Sequence, residues 1–250
     1  MLDILVLSLI QGITEFLPIS SSSHLILASD FLNFTIKNLS QDVSLHIGSF
    51  LAVIIYFRDD IFNFVKEKKL FFKIFIASLP TIFVGAFLVL FDYAEKLRGI
   101  EIIAWTTLIF GILLFLSDKS STKHSIKKLN YKDIFIIGFF QILSLIPGVS
   151  RAGITITAAR FLNFDRVSAA KISFLISIPT LAAVSIYGLY KIIMHDEVLL
   201  KNINILSLIF SFIFSYITIN FFLKYIKKFN LNIFVFYRLI VGIILLVLIY

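Results

Sequence analysis

The chain is dominated by charge-free apolar stretches of about 18 to 20 residues, the length that a helix needs to cross a lipid bilayer. Of its 250 residues, 59% are hydrophobic and only 15% are charged, which lies well outside the composition of soluble domains. The sequence therefore predicts an all-α polytopic membrane protein that forms one integral membrane domain over residues 1–250. The predicted transmembrane helices are six, at residues 43–57, 71–91, 100–117, 171–190, 203–223 and 233–250.

Two further apolar segments, residues 1–29 and 133–164, are interrupted by polar residues and by Pro18 or Pro147. A proline removes a backbone donor and crowds the preceding residue, so a helix usually ends before it. Each segment is therefore predicted to form a re-entrant helix hairpin, which enters the membrane and turns back.

The distribution of lysine and arginine predicts the orientation. Loops 58–73, 118–132 and 224–232 are rich in basic residues, nearly all of them lysine, whereas loops 92–99 and 191–202 carry only two basic residues each. Basic loops stay in the cytoplasm, so the six spans alternate correctly only if both hairpins return to the side they entered from. Both termini are then outside. The net charge of +8 fits anionic lipid headgroups and does not indicate nucleic acid.

Two absences narrow the chemistry further. The chain has no cysteine, which excludes disulfides, thiolate catalysis and cysteine-held metals. Its first residues include Asp3 but no lysine or arginine, unlike a cleavable signal peptide, so we expect them to remain in the mature protein.

The two interrupted segments resemble each other at an offset of 130 residues. Eight of 24 aligned positions are identical, including Gln11 with Gln141, Ser20 with Ser150, and the repeated FLNF tetrapeptide. Each half, residues 1–118 and 133–250, then contains one hairpin and three spans. Three is odd, so the halves are predicted to form an inverted-topology repeat, an arrangement common in transporters with mid-membrane sites. SLPT at 78–81 and SIPT at 177–180 do not occupy equivalent places, and we interpret that pair as coincidence.

Each predicted break is followed by the start of a new helix, PISSSSHL in one half and PGVSRAGIT in the other. Helix starts present unpaired N–H groups and a positive dipole end, which favour phosphate or carboxylate. In an inverted repeat the two starts can meet near the membrane centre and hold an anion between them. The candidate substrate-binding residues are Ser20, Ser22, Gly148, Ser150, Gly153 and Thr155.

Arg151 is the strongest single indication of a phosphate site, because a guanidinium fork matches two phosphate oxygens at once. Its burial in a membrane requires an anionic partner. The alternative is an arginine that snorkels to the cytoplasmic surface. Arg160 and Arg238 are interpreted as snorkelling or structural.

Gln11 and Glu15 are four residues apart and share a helix face, where their oxygens could hold Mg²⁺ or Ca²⁺. Glu15 could instead be the counter-ion of Arg151, or end a helix in water. Ser21 and His24 lie three residues apart, which suits proton transfer to or from a nucleophilic or leaving oxygen. The serines could also simply cap the helix. The remaining histidines, His46, His124 and His195, are interpreted as structural.

QGITEFLPISSSSHL and PGVSRAGIT resemble the two signatures of the bacterial undecaprenyl-diphosphate phosphatases, the bacitracin-resistance family. The resemblance extends over the whole chain, including SLHIGSFLAV at 44–53 and YRLIVG at 237–242. Two positions depart from the family pattern. Gln11 stands where many members have glutamate, and Ala152 replaces the usual serine.

The resemblance implies hydrolysis of undecaprenyl diphosphate to undecaprenyl phosphate and inorganic phosphate, at a site in the bacterial plasma membrane that we expect to open to the outer face. Catalytic roles are predicted for Glu15, Ser21, His24 and Arg151, with Glu15 and Gln11 at a divalent cation. Attack by Ser21 and attack by a water are both compatible with these residues. A transporter of a phosphorylated lipid or other anion is the rival function. Assembly into a homo-oligomer is compatible with the sequence.

Overall fold

The structure, a computed structural model, describes residues 2–31, 39–64, 68–194 and 202–250, and these ranges contain helices but no strand. Lys66, His195, Lys201 and most of the first FLNF copy lie outside them. The helices are α1 Leu2–Thr14, α2 Ser21–Phe31, α3 Leu39–Tyr56, α4 Arg58–Phe64, α5 Lys68–Leu90, α6 Tyr93–Lys96, α7 Ile100–Asp118, α8 Tyr131–Ile142, α9 Arg151–Phe161, α10 Arg166–Met194, α11 Asn202–Ile226 and α12 Asn232–Ile249.

Five of the described helices, α5, α7, α10, α11 and α12, are long and apolar enough to cross a membrane. The prediction of an all-α multi-pass membrane protein is therefore confirmed. The remaining predicted span, residues 43–57, corresponds to α3, which has 18 residues but is not among these five. Because α3 packs against α10 and α11, its polar residues Gln41, Ser44 and Ser49 are buried in protein.

Both predicted interruptions are present. The chain leaves helical geometry between α1 and α2, and again between α8 and α9, where a 3₁₀ turn at Leu143–Leu145 precedes the break. The two helices on either side of each break pack against each other. The residue before each second helix, Ser20 or Ser150, has a positive φ, 77° and 70° respectively, which is uncommon for a residue other than glycine. These two serines are the pair that the 130-residue offset aligned.

The helices pack in matching pairs. Helix α1 lies on α11, and α8 lies on α5; helix α3 contacts α10, and α7 contacts α12. Glycines allow close contact in two of these pairs, α1 with α11 and α8 with α5. A Cβ at Gly12 would fall 2.5 Å from the Cβ of Phe214, and one at Gly138 would fall 2.6 Å from the carbonyl oxygen of Ala77. Any larger side chain at these two positions would push the helices apart.

The basic loops meet at one end of the molecule, as the charge pattern predicts. Asp118, at the end of α7, accepts two hydrogen bonds from Arg166, at 2.7 and 3.0 Å, and one from the backbone N–H of Leu231 at 3.1 Å. Lys171 pairs with Asp60 at 2.6 Å at the same end. At the opposite end of α7, the Tyr250 hydroxyl donates to Glu101 at 2.7 Å.

Candidate active site

The two breaks come together around a polar cavity of about 180 Å³. The backbone N–H of Gly148 donates to the Ser20 hydroxyl at 3.3 Å, which joins the second break to the first. The cavity is smaller than a typical drug-sized ligand site, so it suits a headgroup and not a long chain. It is lined by Thr14, Glu15, Ser20, Ser21, Ser22, His46, Thr81, Ser144, Leu145, Ser150, Arg151, Thr180, Leu181 and Val184.

Glu15 is the centre of the polar network in this cavity. Its Oε1 accepts from Nη2 of Arg151 at 2.7 Å, and its Oε2 accepts from the Ser21 hydroxyl at 2.5 Å and the Gln11 amide nitrogen at 3.1 Å. Glu15 is 8% exposed, so these donors compensate a buried negative charge. Because the Ser21 proton points at a carboxylate, the lone pairs of its oxygen are free to attack an electrophile.

The predicted phosphate-binding turn divides into residues that line the cavity and residues that shape it. Ser150 lines the cavity and caps α9, accepting from the Gly153 N–H at 3.1 Å. Thr155 is buried behind it and donates to the Arg151 carbonyl at 2.8 Å, so it supports the turn. Gly148 has a φ of +93°, and a Cβ there would overlap the Thr106 hydroxyl. Only glycine fits both the backbone and the space.

His24 lies outside the cavity lining. Its Nδ1 is 2.6 Å from the Ser20 carbonyl oxygen and its Nε2 is 2.6 Å from the Tyr237 hydroxyl, while its ring stacks on that tyrosine. A carbonyl can only accept, so Nδ1 carries a proton and, in the neutral ring, Nε2 accepts from Tyr237. The expected contact between Ser21 and His24 is absent from the described residues, because Ser21 pairs with Glu15 instead. A catalytic role for His24 stays a prediction.

His46 is a cavity residue that the sequence analysis interpreted as structural. It lines the cavity, and its Nδ1 lies 3.3 Å from the Gln11 amide nitrogen. An amide nitrogen can only donate, so this ring nitrogen accepts and the neutral ring carries its proton on Nε2. The partner residue lies 35 positions earlier in the chain, so no local spacing pointed to this contact.

Arg238 is the second residue whose place the sequence did not indicate; of its two interpretations, snorkelling or structural, the structural one is confirmed. It is fully buried and donates to carbonyl oxygens of both breaks: Pro18 at 3.1 Å, Val149 at 3.1 Å and Gly148 at 2.8 Å. It therefore fixes the two breaks relative to each other from behind the cavity. Arg160 does not snorkel either: it is 1% exposed and lies 3.5 Å from the Asp118 carboxylate.

The described residues do not fit a divalent cation held by the protein alone. They contain no group of three or more His, Asp or Glu side chains that could hold a metal. Both oxygens of Glu15 already accept hydrogen bonds, and Gln11 presents its amide nitrogen, not its oxygen, to that carboxylate. The Gln11 and Glu15 oxygens therefore do not point toward a common metal position. Gln11 Oε1 is buried without a hydrogen-bond partner among the described residues, which is one oxygen ligand and not a site.

Comparison with known proteins agrees with the resemblance. Residues 4–244 match the family model described as bacitracin resistance protein BacA. The chain is 48% identical to the undecaprenyl-diphosphatase of Pelagibacter ubique (strain HTCC1062), over 100% of this chain and 98% of that protein. It is 41% identical to the undecaprenyl-diphosphatase of Hahella chejuensis (strain KCTC 2396), over 100% of this chain and 98% of that protein. This chain therefore belongs to the bacitracin resistance protein BacA family.

Proposed function

We propose that this protein hydrolyses undecaprenyl diphosphate to undecaprenyl phosphate and inorganic phosphate, the activity in the names of its relatives. The observation that carries the proposal is the part-buried contact of Arg151 and Ser21 with one carboxylate, Glu15, in a cavity lined mostly by polar residues of a membrane protein. This arrangement supplies an anion-binding fork, a hydroxyl nucleophile and a proton acceptor within hydrogen-bond distance of one another.

In the proposed mechanism, Arg151 and the N–H groups at the starts of α2 and α9 bind the terminal phosphate and stabilise the charge that develops on its oxygens. The Ser21 oxygen forms a bond to phosphorus, and the bond to the bridging oxygen breaks, so undecaprenyl phosphate leaves. The serine proton passes to Glu15. The oxygen of a water molecule then forms a bond to the phosphorus of the phosphoserine, and the bond from phosphorus to the Ser21 oxygen breaks. Glu15 returns its proton to that oxygen, and inorganic phosphate leaves with the protons of the water.

Direct attack by water, with Glu15 as the base, is the alternative that the same contacts allow. His24 would first have to give up its contact with Tyr237 before it could serve this step. No step of either route depends on a bound ion; the predicted Mg²⁺ or Ca²⁺ is tested by metal removal.

The lipid chain is proposed to leave the cavity along α10. The apolar residues of the cavity lining are Leu145, Leu181 and Val184, of which the last two belong to α10, and Val184 is 48% exposed. Helix α10 starts at Arg166 in the basic end, and Thr180 lies about 21 Å further along it at 1.5 Å per residue. The cavity therefore lies away from the basic end, which supports access from the outer face of the bacterial plasma membrane.

Two features support the finer topology of six spans and two re-entrant hairpins in an inverted repeat of residues 1–118 and 133–250. Helix α1 packs on α11 as α8 packs on α5, which is the exchange that such a repeat requires. The aligned residues Ser20 and Ser150 also share a positive φ. On this topology the first of the six spans is α3, which packs against α10 and α11.

Phosphate release from undecaprenyl diphosphate by the purified protein in detergent tests the function. We expect turnover in the wild type, and none from a pure carrier, which performs no chemistry without a membrane. Ser21→Ala should abolish turnover, whereas near-normal turnover in that variant would reject the serine nucleophile and favour water. Ser185→Ala, outside the cavity lining, is the matched control.

A parallel reaction with a chelator tests the predicted divalent cation. Unchanged turnover in the presence of the chelator would contradict a requirement for Mg²⁺ or Ca²⁺.

A further inference from the structure

The two proline–threonine pairs that the sequence analysis interpreted as coincidence meet at one wall of the cavity. Thr81 follows Pro80 in α5, Thr180 follows Pro179 in α10, and both threonines line the cavity. The helices are joined just beside them, since Ser78 donates to the Ile176 carbonyl oxygen at 3.0 Å. This wall comes from neither broken hairpin, and the proposed mechanism gives it no role.

The two threonine hydroxyls differ in their hydrogen bonds. Thr180 donates to the carbonyl oxygen of Ser177 at 3.0 Å, so its proton is already used within its own helix. Thr81 is only 6% exposed, yet its hydroxyl has no hydrogen-bond partner among the described residues. A buried polar group without a partner costs free energy, and native proteins rarely leave one unpaired. Thr81 is thus a donor at the cavity wall that lacks an acceptor.

The order of residues along the cavity indicates which part of a ligand Thr81 meets. Arg151 reaches α10 at the carbonyl oxygen of Ser173, 3.5 Å from its Nη1. The cavity-lining residues Thr180, Leu181 and Val184 follow Ser173 in that order along the same helix. In a lipid diphosphate, the lipid-linked phosphate stands between the terminal phosphate and the chain. With the terminal phosphate at Arg151, the lipid-linked phosphate lies beside the threonine wall.

We infer that Thr81 donates a hydrogen bond to the lipid-linked phosphate and so makes the cavity selective for a lipid that carries this second phosphate. The inference rests on the proposed function. Ionised phosphate oxygens can only accept, so the free hydroxyl of Thr81 fits them and the committed hydroxyl of Thr180 does not. The lipid-linked phosphate is also the leaving group, so this bond strengthens as the bridging bond breaks.

The test compares Thr81→Val, which keeps the shape and removes the hydroxyl, with Thr81→Ser, which keeps the hydroxyl. Ser185→Ala removes a hydroxyl that is also buried without a partner among the described residues but does not line the cavity. For Thr81→Val we expect kcat/KM with undecaprenyl diphosphate to fall about tenfold, the value of one hydrogen bond to a charged group. Thr81→Ser and Ser185→Ala should stay within about twofold of wild type, well below that factor.

Binding separates this inference from the proposed function, because it needs no turnover. Polyprenyl monophosphate and inorganic phosphate are titrated separately, with thermal stabilisation of the protein as the readout. Thr81→Val should weaken binding of the lipid monophosphate about tenfold and leave inorganic phosphate unchanged. Equal weakening of both ligands, or of neither, would overturn the inference. A wild type that binds the lipid monophosphate through Thr81 but releases no phosphate would overturn only the hydrolase function.

Discussion

At the scale of single residues, Arg151 has two anionic partners, the Glu15 carboxylate and, in the proposed complex, the terminal phosphate. Lysine keeps the charge but loses the planar fork, so Arg151→Lys should lower kcat/KM by about a hundredfold to a thousandfold. Inorganic phosphate should bind more weakly as well. Steady-state kinetics and phosphate titration check both, with Arg98→Lys, at an exposed ion pair, as the control. Near wild-type kinetics in Arg151→Lys would remove this residue from the phosphate site.

Glu15→Gln separates catalysis from binding. The substitution nearly keeps the shape, but it removes the charge that pairs with Arg151 and the acceptor of the Ser21 proton. We expect kcat to fall by about 10²- to 10⁴-fold, the range for loss of a general base. Inorganic phosphate should bind at least as tightly as in wild type, because the guanidinium no longer has a competing carboxylate. Weaker phosphate binding together with unchanged kcat would contradict Glu15 as the base.

The chemistry at this scale was predictable wherever a residue type has few uses inside a membrane. A buried arginine needs an anion, so Arg151 with Glu15 could be expected from composition and position alone. The side-chain direction of His24 could not, because its partner Tyr237 lies 213 residues further along the chain. The same holds for Thr81, whose meaning depends on which helix packs beside it.

At the scale of elements, Arg238 connects the two breaks through their carbonyl oxygens. Arg238→Met would leave the oxygens of Pro18, Gly148 and Val149 without this donor, at about 1–3 kcal/mol for each unpaired buried group. We expect a lower melting temperature and a kcat reduced about a hundredfold, since displacement of reacting groups by about 1 Å can have that effect. Unchanged kcat in the folded variant would show that the breaks hold their geometry without this residue.

In contrast to Arg238, Asp118 connects helices at a place where its loss should lower stability and leave catalysis unchanged. It pairs with Arg166 and lies beside the buried Arg160 at the basic end, away from the cavity. Asp118→Asn keeps the shape and removes the charge, so the free energy of unfolding should fall by up to about 3–5 kcal/mol. Thermal melting should report this loss while kcat per folded molecule stays at the wild-type value. A fall in kcat at unchanged melting temperature would contradict the assignment.

The helix boundaries could be predicted where a nearby residue, such as a proline, ends or starts a helix. Pro18 and Pro147 marked the two breaks, and both breaks are present. Helix α3 was the difficult case, because a helix that packs against both α10 and α11 presents only part of its surface to lipid. Its serines and its His46 look polar along the sequence, and only packing explains them.

At the scale of the whole molecule, the charge pattern agrees with the packing. The three basic loops were predicted to share one side, and contacts of Asp118 with Arg166 and Leu231, and of Lys171 with Asp60, bring them to one end. The cavity lies about midway along α5 and α10, where Thr81 and Thr180 line it. The arrangement places charged groups where water is and leaves apolar faces for lipid.

The orientation in the membrane is tested by labelling single introduced cysteines, since the natural chain has none. Gly99→Cys lies at the end of α7 opposite the basic loops, where a Cβ meets nothing within 4 Å. Thr122→Cys lies exposed in the basic loop. Because basic loops remain in the cytoplasm, an impermeant maleimide on intact cells should label Gly99→Cys and not Thr122→Cys. Permeabilised cells should label both. Labelling of Thr122→Cys alone in intact cells would reverse the orientation and place the exposed cavity residue Val184 toward the cytoplasmic side.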